Sequence, residues 1–336
     1  MSRLRQWVQS SWSGGPAPAW LKVLLPVLGV FYSIGVWVRN EMFGRGLRRS
    51  IQVSVPVISI GNVAVGGTGK TPLSAWFLSM LARDGRSPGL VMRGYGEDEV
   101  ELHRRWNPGV PVVVEGDRVS GAQRAIAEGA QIIVMDDGFQ HRRLARDLDV
   151  VLLAAEHPVL VRTLPRGPYR ESLASLRRAD VVVVTRRVAS DEAVSRWREN
   201  IAAGAPHAVV GIVDLRGRDW TTLDGSPSEA PIGEVLAVAG VGQQEAFGAM
   251  VAAQLGAPVE LMKFPDHHRY DGADVDRIRR AAGPRTVVTT EKDAVKLRGI
   301  QGVPDDLRVL RLQVEWHEGL EQIKELINAL FREDSA

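Results

Sequence analysis

The sequence predicts an α/β protein: a mostly parallel sheet covered by helices, with a smaller second α/β unit and one apolar helix ahead of both. Three observations predict it. Short, near-continuous apolar segments recur between helical stretches, as expected of strands buried on both faces. One of them, Val53–Ile60, runs into Ala64-Val65-Gly66-Gly67-Thr68-Gly69-Lys70-Thr71 and then Pro72–Leu78. Strand, glycine-rich loop, Lys-Thr and helix is the layout of a phosphate cradle, which makes the sheet P-loop-type. Finally, Val23–Val38 carries no charge and is bracketed by Lys22 and Arg39.

The amino end comes first in the chain. A helix through Trp20–Arg39 would be roughly 30 Å long, the thickness of a bilayer core. It is apolar nearly all round, and Arg39, Arg45, Arg48 and Arg49 follow, placed for anionic headgroups. The expectation is a membrane-associating helix; an ordinary core helix is the alternative. No small-residue cleavage site follows, which argues against a secretory signal. Ser10–Pro18, rich in Ser, Gly and Pro, reads as a mobile lead-in.

After the loop-helix unit, Gly89–Met92 and Val110–Val114 read as buried strands, Ser120–Glu128 as a helix, and Gln131–Met135 as a strand ending in Asp136-Asp137. Ser172–Arg178 is helical, and Val150–Ala154 and Val181–Thr185 complete the series. Composition shifts around Ala202–Ala208. Beyond it lie strands at Val235–Ala239, Val259–Met262 and Thr286–Thr290, helices at Gln244–Leu255 and Asp274–Ala282, and an amphipathic terminal helix at Leu320–Phe331. The expected divisions are therefore 1–50, 51–205 and 206–336, the last closing over the site.

At 336 residues, with 45% hydrophobic and 24% charged residues, the chain suits two folded domains. A net charge of +2 gives no general case for nucleic-acid binding, and nothing points to an obligate protein partner. With no cysteine, disulfides, thiol catalysis and cysteine-based metal sites are excluded. Only six lysines are present, which singles out the one inside the loop.

The loop is where the chemistry begins. Glycines let backbone N–H groups curl around phosphate oxygens, and the following helix adds partial positive charge. Lys70 neutralises the outer phosphates and the Thr71 hydroxyl can hold Mg²⁺. The strict pattern has Gly where Ala64 stands. Asp136-Asp137, delivered at a strand tip, suits a Mg²⁺-holding carboxylate, with Asp137 the primary candidate and Asp136 beside it. Gly240-Val241-Gly242 also follows a strand, but the third glycine of a dinucleotide fingerprint is replaced by Glu245.

Asp136-Asp137-Gly138-Phe139-Gln140-His141 resembles the signature of the tetraacyldisaccharide 4'-kinase (lipid A 4'-kinase) family. Gly61–Pro72 resembles that family's phosphate loop, in which the leading glycine is also commonly absent. Arg93-Gly94-Tyr95-Gly96, Leu164–Glu171, Phe264-Pro265-Asp266-His267-His268 and Thr290–Lys296 are similar to its further blocks, in family order.

The resemblance implies transfer of the ATP γ-phosphate to the 4'-hydroxyl of a lipid-linked glucosamine disaccharide, at the cytoplasmic face of the bacterial inner membrane. It implies ATP contacts along Ala64–Thr71, Glu171 as a metal or nucleotide contact, and Asp98 as the base, partnered by His267 from the second domain. Asp98-Glu99-Val100 follows Gly96 more closely than usual, and Val100 replaces a proline. Arg93, Tyr95, Arg118, Gln140, His141 and Arg170 are candidates for sugar, substrate-phosphate or ATP contacts. Glu291, Lys292 and Asp293 organise the strand end, without a catalytic role. The competing expectation is a membrane-docked P-loop NTPase switch or assembly protein, which would hydrolyse nucleotide without phosphorylating lipid.

Overall fold

The computed structural model describes residues 3–12, 15–94, 96–157, 159 and 161–332. The elements run, in chain order, α1 (Arg3–Trp12), α2 (Ala19–Gly44), β1 (Val57–Asn62), α3 (Lys70–Arg83), β2 (Pro88–Met92), α4 (Glu97–Trp106), β3 (Val112–Val114), α5 (Arg118–Ala127), β4 (Ile132–Asp136) and β5 (Leu148–Ala154). A short 3₁₀ turn at Leu173–Arg178 leads to β6 (Val181–Arg186), α6 (Asp191–Gly204), β7 (Val209–Thr221) and β8 (Pro227–Ser228). The chain closes with β9 (Val235–Ala239), α7 (Gln244–Leu255), β10 (Glu260–Lys263), α8 (Gly272–Ala282), β11 (Thr286–Thr290), α9 (Glu291–Leu297), β12 (Arg308–Glu318) and α10 (Leu320–Ala329).

The strands form one sheet in the order β10-β9-β11-β12-β7-β6-β5-β1-β4-β2-β3, with β8 off the end of β7. Neighbours on the main path are parallel except β7 and β12. That exception organises the molecule. β7 continues the first unit, pairing Thr185 with Val213 and Arg186 with Asp214. Its far end pairs Trp220 with Leu310 of β12, and Leu310 pairs in turn with Thr290 at the end of β11. The second unit's strands therefore run opposite to the first unit's. Their carboxyl ends face each other along the β7–β12 ribbon, across roughly Leu215–Asp219. Ligands bind at strand carboxyl ends in open α/β sheets, and here two sets meet head-on.

Several expected elements shift for identifiable reasons. Val53–Ile60 yields a strand only from Val57, because Pro56 has no N–H for a ladder; Val53 and Val55 still pack on the core. Within the expected lead-in, Ser10–Trp12 ends α1, and the Trp12 indole donates to the Pro165 carbonyl at 3.0 Å. The boundary at 205/206 separates what the fold joins: α10 packs Ile323 and Ile327 into the first unit's core with Ile58 and Phe77. The Arg86 guanidinium sits 3.7 Å above the Phe331 ring centre at the same junction. Residues 206–336 thus leave the first unit, build the second, and return.

Helix α2 is not a core helix. Among its side chains only Leu21, Leu25 and Gly29 are buried, while Val23, Val30, Phe31 and Trp37 are 59–72% exposed. It is long and apolar enough to cross a membrane by length and composition. Yet it is fastened to the body along its length. Gly29 lets it approach Arg166, where an added Cβ would lie 3.4 Å from the Arg166 Cβ. The Tyr32 hydroxyl donates to the Arg170 carbonyl at 3.1 Å, and the Ser33 and Thr163 hydroxyls lie 2.7 Å apart.

Candidate active site

The phosphate loop leaves β1 at Val63 and enters α3 at Lys70. Gly66 and Gly69 hold φ of 118° and 87°, a left-handed backbone that side chains disfavour. At Gly69 an added Cβ would also lie 2.5 Å from Leu215 Cδ1. The Asn62 amide donates to Thr68 Oγ1 at 2.7 Å, the Thr185 hydroxyl donates to the Thr68 carbonyl at 2.9 Å, and Val65 N–H donates to the Pro168 carbonyl at 2.7 Å. The loop is thus tied to three neighbouring segments.

Ala64 replaces a pattern glycine without strain. Its φ is not positive, it bridges Tyr169, and its methyl is buried in the cluster holding Val63, Phe139 and Tyr169. The residue expected among the ATP contacts is therefore core; Val65–Thr71 line the cleft and Ala64 does not.

That cleft is a cavity of about 300 Å³ between the facing carboxyl ends. Its floor is the loop, Arg93 and Asp136-Asp137; its roof is Val241-Gly242-Gln243, Asp266-His267 and Thr290-Glu291-Lys292. Gly242 closes on the loop so tightly that a Cβ there would sit 3.4 Å from the Gly67 nitrogen. Of the glycines considered for a dinucleotide fingerprint, Gly242 serves this approach between units, while Gly240 packs inside the second unit, where a Cβ would lie 3.0 Å from Asp293 Oδ1 and the Tyr270 hydroxyl.

Asp136 is buried, accepts from the Ser74 hydroxyl at 3.1 Å and from Asp137 N–H at 3.0 Å, and lies 3.5 Å from His103 Nε2. Asp137, at φ 53°, turns its carboxylate to Lys70 at 3.5 Å and takes two hydrogen bonds of 2.9 Å from Arg170 Nη1. Burial raises the Asp137 pKa, but Lys70 and Arg170 outweigh it and hold the carboxyl below its ordinary value. Gln140 joins them, donating to the Asn62 carbonyl at 2.8 Å and accepting from Arg170 at 3.2 Å.

Asp98 and His267, 169 positions apart in sequence, come together. Asp98 is buried near the start of α4, its Oδ2 accepts no hydrogen bond among the described residues, and His267 Nδ1 lies 3.9 Å away. Lys296 Nζ is 3.6 Å from the same oxygen. Gly96 leaves room for this carboxylate: a Cβ there would fall 2.1 Å from Asp98 Oδ1 and force the side chain to turn. Val100, in place of the proline, packs into the first core.

Neither Asp98 nor Gln140 lines the cavity wall itself, and three further expected site residues stand farther from it. Glu171 is buried away from the cleft, where Arg39 at 3.2 Å, Asn40 at 2.9 Å and Arg178 at 3.0 Å take its two oxygens. It joins α2 to the body: Oε2 accepts from Asn40 and Arg178 and Oε1 from Arg39, whose charge is thereby shared with this carboxylate. Arg118 is buried and donates to the Glu115 carbonyl at 2.7 Å, outside the cleft. His141 also lies outside it; burial first, then Arg118, push its imidazole down to about 4, so it is neutral at pH 7. Tyr95 lies outside the described residues.

Other cleft residues carried little signal in the sequence. Phe247, Met250, Leu310 and Leu312 form an apolar wall, and Arg187 lies beside Gly69. Glu99 sits between units: its Oε1 lies 2.5 Å from Lys292 Nζ and 3.4 Å from Thr71 Oγ1. Burial raises its pKa, but the Lys292 ammonium outweighs this and keeps the carboxyl below its ordinary value.

A family model described as tetraacyldisaccharide-1-P 4'-kinase matches residues 21–332. The chain belongs to that family. It is accordingly a phosphotransferase acting on a hydroxyl group. The chain is 37% identical to the tetraacyldisaccharide 4'-kinase of Anaeromyxobacter sp. (strain Fw109-5), over 95% of this chain and 94% of that one. It is 36% identical to the kinase of that name from Syntrophus aciditrophicus (strain SB), over 82% and 84%. The crystal structure of the "apo" form of LpxK from Aquifex aeolicus in complex with ATP is similar with a TM-score of 0.73 at 27% identity, covering 93% of this chain and 99% of that one. The family's fold is thus shared end to end, including the second unit that roofs the cleft.

Proposed function

We propose that this chain transfers the γ-phosphate of ATP to the 4'-hydroxyl of a tetraacyl glucosamine disaccharide 1-phosphate. The single observation that carries the reading is the cleft itself, lined by a phosphate loop on one unit and by His267 on the other, with the buried Asp98 carboxylate 3.9 Å behind that histidine. A slow NTPase switch would need no second wall that brings a buried carboxylate to a histidine beside the loop.

Val65–Gly69 and Lys70 bind the phosphates, and the apolar wall of Phe247, Met250, Leu310 and Leu312 takes the base. Asp98 accepts the hydroxyl proton as the acceptor oxygen attacks. His267 orients it. Arg93 and Arg170 supply planar forks for phosphate oxygens. Mg²⁺ favours oxygen ligands and keeps phosphates and waters in its shell. The Thr71 hydroxyl, Asp137 and Glu99 are oxygen donors around the loop and would hold it. When bound it neutralises charge on the phosphates. Closure of the second unit keeps water from taking the phosphate in place of the sugar.

We infer that α2 seats the protein in one leaflet at the cytoplasmic face of the bacterial inner membrane. Body contacts from Leu21 to Asn40 hold it against the protein, which favours lying in the surface over crossing it. Changing Val23, Val30, Phe31 and Trp37 together to serine is expected to weaken vesicle binding at least ~100-fold, since each buried side chain of this size contributes about 1.5–3 kcal/mol. The thermal midpoint should stay put, because none packs on the body. Equal sedimentation of both proteins with vesicles would refute the inference.

The activity is tested by incubating the purified chain with ATP, Mg²⁺ and the tetraacyl disaccharide 1-phosphate. Phosphate should appear on the lipid. ATP hydrolysis that ignores the lipid would favour the switch.

A further inference from the structure

We propose that Lys292 is a second cation of the phosphoryl-transfer centre, delivered by the second unit and held in register by Glu99. The proposal rests on the kinase function argued above. Lys292 lies at the carboxyl end of β11, in the first turn of α9, and lines the cleft opposite the loop. Three of the chain's six lysines, Lys70, Lys292 and Lys296, converge on this centre. One carboxylate oxygen, Glu99 Oε1, links the Lys292 ammonium at 2.5 Å to the Thr71 hydroxyl at 3.4 Å.

A latch between α4 and α9 does not need this lysine at the cleft. The Trp106 indole already donates to Glu291 at 2.8 Å, and Lys296 bridges Asp98 and Asp293. Lys292 differs in standing beside the loop, where an ammonium can meet phosphate oxygens. In transfer, the acceptor oxygen forms a bond to the γ-phosphorus and the bond to the β–γ bridging oxygen breaks. That electron pair leaves with ADP, and the hydroxyl proton goes to Asp98. Lys292 neither gains nor loses a proton; it offsets the negative charge that develops during transfer.

The absence of cysteine permits a site-selective test. Lys292→Cys is expected to lower kcat at least ~100-fold, with KM for ATP within ~3-fold; the variant should still melt cooperatively, at a lower midpoint because Glu99 loses its ion pair. Alkylation with 2-bromoethylamine places an ammonium back at nearly the original reach and should restore at least ten-fold, while the same treatment leaves the unsubstituted protein unaffected. ATP, but not adenosine, should protect the cysteine from alkylation, whether or not lipid is phosphorylated. An inactive unsubstituted enzyme with intact ATP protection would therefore indict the kinase function and not the placement of Lys292. The proposal is overturned if kcat stays within ~5-fold, if alkylation restores nothing to a folded variant, or if ATP gives no protection. Should the cysteine variant not fold, Lys292→Gln carries the same kcat expectation and the same threshold for rejection.

Discussion

Lys70→Ala is expected to lower kcat/KM for ATP by about 10³-fold, roughly 4 kcal/mol of transition-state stabilisation. Lys70 is the first residue of α3, immediately after the left-handed Gly69. Its side chain is 15% exposed and its ammonium faces Asp137 at 3.5 Å at the cleft. The fold should survive, with a thermal midpoint near that of the unsubstituted protein. Lys70→Arg keeps the charge but spreads it over a larger plane inside a loop shaped for one ammonium; it should recover only part of the rate. Steady-state kinetics at varied ATP, beside the melting curve, decide the matter. A folded alanine variant within ten-fold of the original would remove the loop from the mechanism.

Asp98→Asn should lower kcat by about 10²–10⁴, the span attributed to a general base, while ATP affinity stays unchanged. Asparagine matches the volume of a buried side chain that Gly96 leaves just enough room for, so packing is preserved. It cannot accept the hydroxyl proton. Lys296 loses one partner but keeps Asp293 at 3.1 Å. His267→Ala should cost less, because the histidine acts through the carboxylate, and the double variant should be little worse than Asp98→Asn alone. Rate and calorimetric ATP binding on the three variants test this; an unchanged kcat in Asp98→Asn moves the base elsewhere.

Much of the nucleotide-binding half was legible because its signals are contiguous. β1, the loop and α3 occupy one run of chain, and β4 presents Asp136-Asp137 at its tip with nothing intervening. The short central strands are apolar on both faces and announce themselves. β7 and β12 did not: Val209–Thr221 and Arg308–Glu318 interleave buried apolar residues with exposed polar ones, Arg216, Arg218 and Asp219 on β7 and Arg311, Gln313, His317 and Glu318 on β12. Helix α4 was hidden for a similar reason, since Glu97-Asp98-Glu99 looks like a solvated turn until Val100 and Leu102 are seen to anchor it. Helix α6 did carry a signal, in the spacing of Val194, Trp197 and Ile201, all buried. Glu171 is a case the sequence did not anticipate: beside the functional pattern of its neighbourhood, its carboxylate pairs with Arg39 and Arg178 and holds α2 to the body.

By itself the sequence determined the phosphate loop, the paired carboxylates, the apolar amino-terminal helix and the α/β class. Each depends on backbone freedom, charge or hydrophobicity within a few adjacent residues. Only the tertiary structure decided that two sets of strand ends would face each other, that Asp98 would meet His267, and that Lys292 would meet Glu99 beside Thr71. Those pairings follow from one antiparallel contact between β7 and β12. Its register is set by packing across distant segments, which no local pattern in either strand encodes.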